Sequence, residues 1–145
     1  EESYAEALAI CRSIGYDLGR ANALNGLGDV RRQQSKYTEA QESYAEAVAI
    51  SKGIGNGIIQ VNSALGLARI RLHQARYAEA KALVEVASSI SERVKYVWGM
   101  DTSGELLENI FVKLLSSLIP ASIHAEDSTT SSSLPVTDEF SAARP

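Results

Sequence analysis

Apolar residues recur along the chain at spacings of three and four, as in Leu24, Leu27 and Val30 and again in Ala40, Tyr44, Ala47, Val48 and Ile50. That spacing lays them along one side of a helix. Ala, Glu, Gln and Arg fill the positions between, all strong helix formers. The pattern breaks at Ser35-Lys36, where the Ser35 hydroxyl is placed to cap the next helix, and at Lys52-Gly53-Ile54-Gly55, where glycines supply the left-handed geometry that ends one. Helices are expected near residues 1–12, 17–34, 36–52, 57–74 and 76–96, joined by short turns into antiparallel pairs.

The same pattern repeats. Glu2-Ser3-Tyr4-Ala5-Glu6-Ala7 returns letter for letter as Glu42-Ser43-Tyr44-Ala45-Glu46-Ala47. One shift of about 40 residues also carries Ile14-Gly15 onto Ile54-Gly55, Asn22 onto Asn62, Gly26-Leu27 onto Gly66-Leu67, Tyr37 onto Tyr77 and Glu39-Ala40 onto Glu79-Ala80. A single shift behind all these pairs identifies a repeat protein. Alanines 40, 47, 80 and 87 and glycines 26, 28 and 66 allow close helix approach, and Tyr37, Tyr44 and Tyr77 are the large residues expected to fill the complementary spaces.

These residues resemble the tetratricopeptide repeat. Leu27-Gly28, Tyr37, Ala40, Tyr44 and Ala47 match the family's signature in one repeat, and Leu67-Ala68, Tyr77, Ala80 and Ala87 match it in the next, with Ala68 in place of the usual Gly and Val84 in place of the usual aromatic. The closing proline is missing, Lys52 and Glu92 standing there, and Gly53 and Gly55 take over the turn. The period is longer than the usual ~34, as in the long-helix variety seen in kinesin light chains and in the C-terminal arrays of STAND-type signalling NTPases. HEAT and armadillo repeats share the period but not the Tyr-Ala-aromatic-Ala spacing. The resemblance covers residues 1–95 and implies an all-α solenoid of antiparallel helix pairs wound into a right-handed superhelix. Residues 1–16 read as a partial repeat, 17–55 and 56–95 as two repeats, 96–120 as a degenerate segment with a capping helix, and 121–145 as a disordered tail.

After Lys95 the register is expected to fail: Val97-Trp98-Gly99-Met100 finds no counterpart, and Pro120 falls where a second-helix alanine belongs. Thr102-Ser103-Gly104-Glu105 reads as a capping box opening a helix with the apolar stripe Leu107, Ile110, Phe111, Leu114, Leu115 and Leu118, ended before Pro120. A terminal cap over the last apolar face is the simpler reading; the alternative is an amphipathic helix for a partner or a membrane surface, although the basic face a membrane anchor wants is absent.

Composition then narrows the function. The formal net charge of -4 and the pI near 5.2 argue against a nucleic-acid surface. About -3 of that charge lies in residues 121–145, with Glu126, Asp127, Asp138 and Glu139 against Arg144, so the repeat body is near neutral. One cysteine and two distant histidines, His73 and His124, offer neither a disulfide framework nor a metal cluster. No apolar run is long enough to span a membrane, and an intracellular, cytoplasmic location is expected. The opening at EESYAEA, in mid-pattern, reads as a fragment of something longer, and the change of composition near the end fits a truncated or altered gene product. With only a partial repeat ahead of two full ones, the isolated chain is expected to be of low stability or to self-associate through exposed solenoid ends.

No catalytic residue, metal site or cofactor is expected. Gly53-Ile54-Gly55-Asn56-Gly57 superficially resembles a phosphate loop but joins two helices and lacks the strand before it and the Lys-Ser/Thr after it. Cys11 reads as a small packing residue, and Glu39, Glu42 and Glu46 as a solvated face. What such an array does is bind. In a tetratricopeptide array the first helices line a concave face, which puts Asn22, Asn25, Asp29, Arg32 and Gln33 of one repeat and Asn62, Leu65, Arg69 and His73 of the next in the groove. Asn22 and Asn62, in register, suit a ladder of amides on the backbone of an extended peptide, and Arg32 and Arg69 suit an acidic partner. The family's two-carboxylate clamp for chaperone tails is not matched: Asn25 and Asp29 stand where it wants basic and amide groups, and Leu65 and Arg69 do not restore it. The chain is expected to be a protein-interaction module, part of a larger scaffold or sensor, whose groove takes a peptide or helix. The alternative is a regulatory array of a STAND-type NTPase, of the NB-ARC or NACHT kind, with its catalytic domain outside this chain.

Overall fold

The backbone turns the same way five times. A computed structural model describes residues 1–119 and resolves them into six helices, α1 (Glu2–Ile14), α2 (Asp17–Gln33), α3 (Tyr37–Gly53), α4 (Gly57–His73), α5 (Tyr77–Val94) and α6 (Val97–Leu118). Between successive helices, Gly15, Ser35, Gly55, Ala75 and Lys95 adopt the left-handed conformation, with φ between 56 and 71°. After each, the next N–H reaches back five residues: Tyr16 to Cys11 at 2.9 Å, and Lys36 to Arg31, Asn56 to Ser51, Arg76 to Arg71 and Tyr96 to Ser91 at 2.8 Å. This is the six-to-one bond of the Schellman motif, which satisfies an orphan carbonyl at each helix end.

The ~40-residue repeat is therefore two half-periods of about 20 residues, each closed by one turn geometry. Ser35 serves as the left-handed residue of its turn and not as a helix cap; Lys36 holds the cap position, without a side-chain bond. Gly55 carries the turn after α3, whereas Gly53 is still helical. Asn56 is the side-chain cap, accepting the Ile59 N–H at 3.0 Å.

Each helix packs on the next, and α2 additionally touches α4, and α4 touches α6. No such contact links α1 to α3 or α3 to α5. Helices that touch across one layer and stay apart in the other make a stack that curves, with α2, α4 and α6 on its inner side. The described residues form an all-α solenoid of antiparallel helix pairs without a strand.

Small and large residues interlock inside it. Ala40, Ala47, Ala80 and Ala87 are fully buried, Leu27 and Gly28 are buried, and Tyr37, Leu67 and Tyr77 are half-buried around them. The Tyr44 ring, 0% exposed, lies against Gly28 of α2 and Gly66 of α4, where a methyl group on either glycine would overlap it. One shift later the arrangement is exchanged. Val84 stands at the Tyr44 position, Ala68 at the Gly28 position and Leu106 at the Gly66 position, and Leu106 packs on the cluster that contains Val84 and Ala68. The two departures from the family pattern thus compensate each other: a smaller residue on the second helix leaves room for larger ones on the first helices.

The expected break after Lys95 does not occur. α6 begins at Val97, in step with Asp17 and Gly57, because Lys95 makes the same turn as Gly15 and Gly55. Thr102 is no cap: it lies inside α6, buried beside fully buried Ser103, and Tyr96 holds the cap position. α6 also has two faces. Leu107 and Ile110 join the cluster formed with α5, while Asp101, Glu105 and Glu108, in step with buried Val61, Leu65 and Ala68, are exposed. α6 then runs past Leu115, where α2 and α4 have already turned, leaving Phe111 62% and Leu118 77% exposed. The expected ending at Pro120 and the tail at 121–145 lie outside the described residues.

Candidate functional site

The inner layer brings polar residues from three helices to one cavity of about 550 Å³. α2 contributes Asn25, Asp29, Arg32 and Gln33, α4 contributes Asn62 and Arg69, and the start of α6 contributes Trp98, with Tyr96 just ahead of it. Buried hydroxyls hold this surface from behind. The Tyr44 phenol donates to Asp29 Oδ1 at 2.6 Å and accepts from Arg32 Nε at 3.3 Å, and Arg32 Nη2 lies 3.8 Å from the same Asp29 oxygen. Burial, then the hydrogen bond to Asp29, push the Tyr44 phenol well above the usual tyrosine range.

The asparagines are held the same way. Ser63 Oγ donates to Asn25 Oδ1 at 2.9 Å and Tyr96 Oη donates to Asn62 Oδ1 at 3.1 Å. With each amide oxygen accepting from a hydroxyl, each amide nitrogen remains available as a donor. Burial, and after it the charge of Arg32, lower Arg69 from the usual arginine range, opposed by Asp29, Tyr44 and Glu105. The cavity offers chiefly N–H donors, which suits carbonyl and carboxylate oxygens.

The expected groove residues divide. Asn25, Asp29, Arg32, Gln33, Asn62 and Arg69 come together in this cavity. His73 lies beyond it in a second cavity of about 430 Å³ that shares Arg69 and adds Asn109 and Lys113; its ring stacks on Tyr37, centroids 4.6 Å apart. Leu65 is fully buried in the cluster with Ile110 and offers nothing to a ligand, because α6 covers the α4 face that carries it. Asn22 is exposed and lines neither cavity, so the amides brought together are Asn25 and Asn62, not the in-register pair Asn22 and Asn62.

Tyr96 and Trp98, with ring centroids 5.7 Å apart, were not expected in the groove. The signal that finds them is the left-handed Lys95, in step with Gly15 and Gly55 but without the glycine that announces the turn.

The other candidates are structural. Cys11 packs where a side chain on Gly19 would stand, 2.5 Å from its sulfur. Glu46 pairs with Arg12 at 3.1 Å and Arg20 at 3.6 Å, and Glu39 with Arg31 at 3.9 Å. Gly53–Gly57 spans the turn between α3 and α4. No described helix is long and apolar enough to cross a membrane.

A family model described as tetratricopeptide repeat matches residues 1–53 and again 19–93. No curated protein matches the chain, and no solved structure matches it. Repeats of this family are in general protein–protein interaction modules without catalysis of their own. By these matches, and by helix pairs closed with a recurring turn, the chain belongs to the tetratricopeptide repeat family.

Proposed function

We propose that the chain is a protein-interaction module that holds an extended peptide, or one face of a helix, in the groove between α2, α4 and the start of α6. The observation that carries this reading is the pair of amides, Asn25 and Asn62, each held through its oxygen by a buried or half-buried hydroxyl and both lining the same cavity. Backbone carbonyls of a partner supply the acceptors, independent of the partner's side chains. The forty-residue recurrence of the turns supports placing the array with the long-period variety of the family. A signalling NTPase domain joined ahead of Glu1 would select the STAND-type setting over a scaffold.

Trp98 is the chain's single tryptophan and stands on the groove, so its fluorescence reports occupancy directly. Peptides selected from a random display library are expected to shift that emission, and the double variant Asn25→Ala/Asn62→Ala is expected to bind them about tenfold more weakly, as loss of two neutral hydrogen bonds implies. Selected peptides that leave Trp98 unmoved and bind the double variant equally well would remove this site from consideration.

Self-association through the α6 end belongs to the same reading. Phe111 and Leu118 are largely exposed on α6, and Phe111 lines a cavity of about 400 Å³ together with half-buried Leu107 and Leu114, an apolar surface that suits a second copy of the chain. Sedimentation velocity over a concentration series is expected to show a dimer that Phe111→Ser/Leu118→Ser abolishes; a monomer throughout the series rejects it.

A further inference from the structure

The inner layer carries a row of apolar side chains beside its polar ones. Leu18, Ile58 and Trp98 stand at one register position, the second residue of α2, α4 and α6. Leu18 is half-buried, whereas Ile58 is 47% and Trp98 49% exposed. Ile58 lies one helical turn ahead of Asn62, on the side of α4 that carries Asn62 and Arg69. Of the residues lining the two concave cavities, Trp98 alone is a large apolar side chain exposed to this degree. Tyr96 stands beside it, with ring centroids 5.7 Å apart, planes tilted by 42° and its own hydroxyl tied to Asn62. The indole is thus backed by a ring that is itself held in place.

Next to this row the cavity is rich in donors. Asn25, Asn62, Arg32, Arg69 and the Trp98 indole all carry N–H groups. Acceptors are scarcer, and three of them are engaged: Asp29 Oδ1 takes the Tyr44 hydroxyl, Asn25 Oδ1 that of Ser63 and Asn62 Oδ1 that of Tyr96. Such a surface satisfies the carbonyls of a bound peptide but offers little to its N–H groups. An N–H buried without a partner is costly. Proline has no N–H to satisfy.

The spacing of the helices selects a backbone conformation. α2 touches α4 and α4 touches α6, and helices in contact lie about 8–10 Å apart. A polyproline II segment rises about 3.1 Å per residue with three residues per turn, or roughly 9 Å per turn. Each turn therefore reaches from one first helix to the next and brings the same side of the segment back to the row. A β-strand returns its side every two residues, about 6.6 Å, and falls out of step with the helices.

We infer that the groove takes a polyproline II segment with proline at every third position, one proline on Trp98 and the next on Ile58, its carbonyls meeting the donors of Asn25, Asn62 and Arg69. This rests on the groove reading above and names the class of peptide that fills it. Apolar proline rings suit an aromatic platform, and a segment already extended before binding loses little freedom on it.

The test titrates the full-length chain by isothermal calorimetry with three blocked nonapeptides, Trp98 emission serving as second readout. The first repeats Pro-Ser-Ser three times, the second has the same composition with its three prolines adjacent, and the third is nonaserine. The first is expected to shift Trp98 and to bind about tenfold more tightly than nonaserine and about threefold more tightly than its isomer. Trp98→Ser is expected to remove the tenfold preference over nonaserine, and Ile58→Ser to reduce it about threefold. Neither substitution should change the affinity for nonaserine.

Equal affinity for the first peptide and nonaserine overturns the inference and leaves the groove standing. Equal affinity for the two proline isomers overturns the arrangement of one proline per helix. If none of the three binds at millimolar concentration the inference falls, and the display-selected peptides decide the groove reading separately. Should Trp98→Ser lose its helical circular dichroism, Ile58→Ser, at an exposed position, decides: unchanged affinity for the first peptide in that variant overturns the inference.

Discussion

Truncating Tyr44 to alanine is expected to cost about 3–5 kcal/mol of stability, read as a fall in the urea midpoint without a change of slope. The ring is fully buried and sits between two glycines on different first helices, so no side chain is positioned to collapse into the space it leaves. Tyr4, its counterpart one repeat earlier, lies against Gly26 but is 42% exposed, and the same truncation there costs markedly less. A loss at Tyr44 no larger than at Tyr4 would contradict the packing.

The phenol adds a pH dependence whose sign follows from its surroundings. The folded state keeps the Tyr44 proton above the usual tyrosine range, whereas the unfolded chain releases it near pH ~10. Tyr44 therefore contributes fully below that pH, and stability falls by up to about 1.4 kcal/mol per pH unit above it, until the folded phenol itself ionises. Tyr44→Phe keeps the ring and removes this alkaline limb.

The second large effect is a rescue. Gly66→Leu in the parent chain forces a side chain into the Tyr44 ring and is expected to cost about 3 kcal/mol or more. Tyr44→Val alone leaves a cavity and is expected to cost about 3 kcal/mol. The next repeat has already combined these residues, with Val84 and Leu106 in the same register. The double variant Tyr44→Val/Gly66→Leu is thus expected to be more stable than either single one, with a coupling energy of about 2–3 kcal/mol. Adding Gly28→Ala completes the transplanted set, since Ala68 is the third member. Additive losses across the cycle would show that the exchange between repeats is accidental. Equilibrium urea denaturation of the four proteins measures it.

These residues also link stability to the groove. Tyr44 fills the core with its ring and orients Asp29 and Arg32 with its hydroxyl, so the concave surface is held by the group that packs the repeat. Ser63 and Tyr96 do the same for Asn25 and Asn62. Side chains fixed from behind lose little freedom when a partner arrives, which favours binding by a groove made of single polar residues.

How far each layer was legible depends on its physics. The helices, their boundaries to within two residues, the repeat shift and the buried alanines all follow from local periodicity and from translation along the chain. α6 was only half legible. Its apolar stripe was visible, but its start was placed at Thr102 instead of Val97, because Lys95 makes its left-handed turn without the glycine that marks Gly15 and Gly55.

By itself, then, the sequence determined an all-α repeat of paired helices with its small and large residues in fixed register, since each of those choices repeats a local rule. Only the tertiary structure decided which polar residues share a surface. Asn25 and Leu65 occupy one register position, yet the first lines the cavity between α2 and α4 and the second is buried against α6, while Asn22 lines neither that cavity nor its neighbour and Tyr96 with Trp98 lines the first. Periodicity states which way a residue points from its own helix; what covers it is set by the next helix, whose placement depends on packing across the stack.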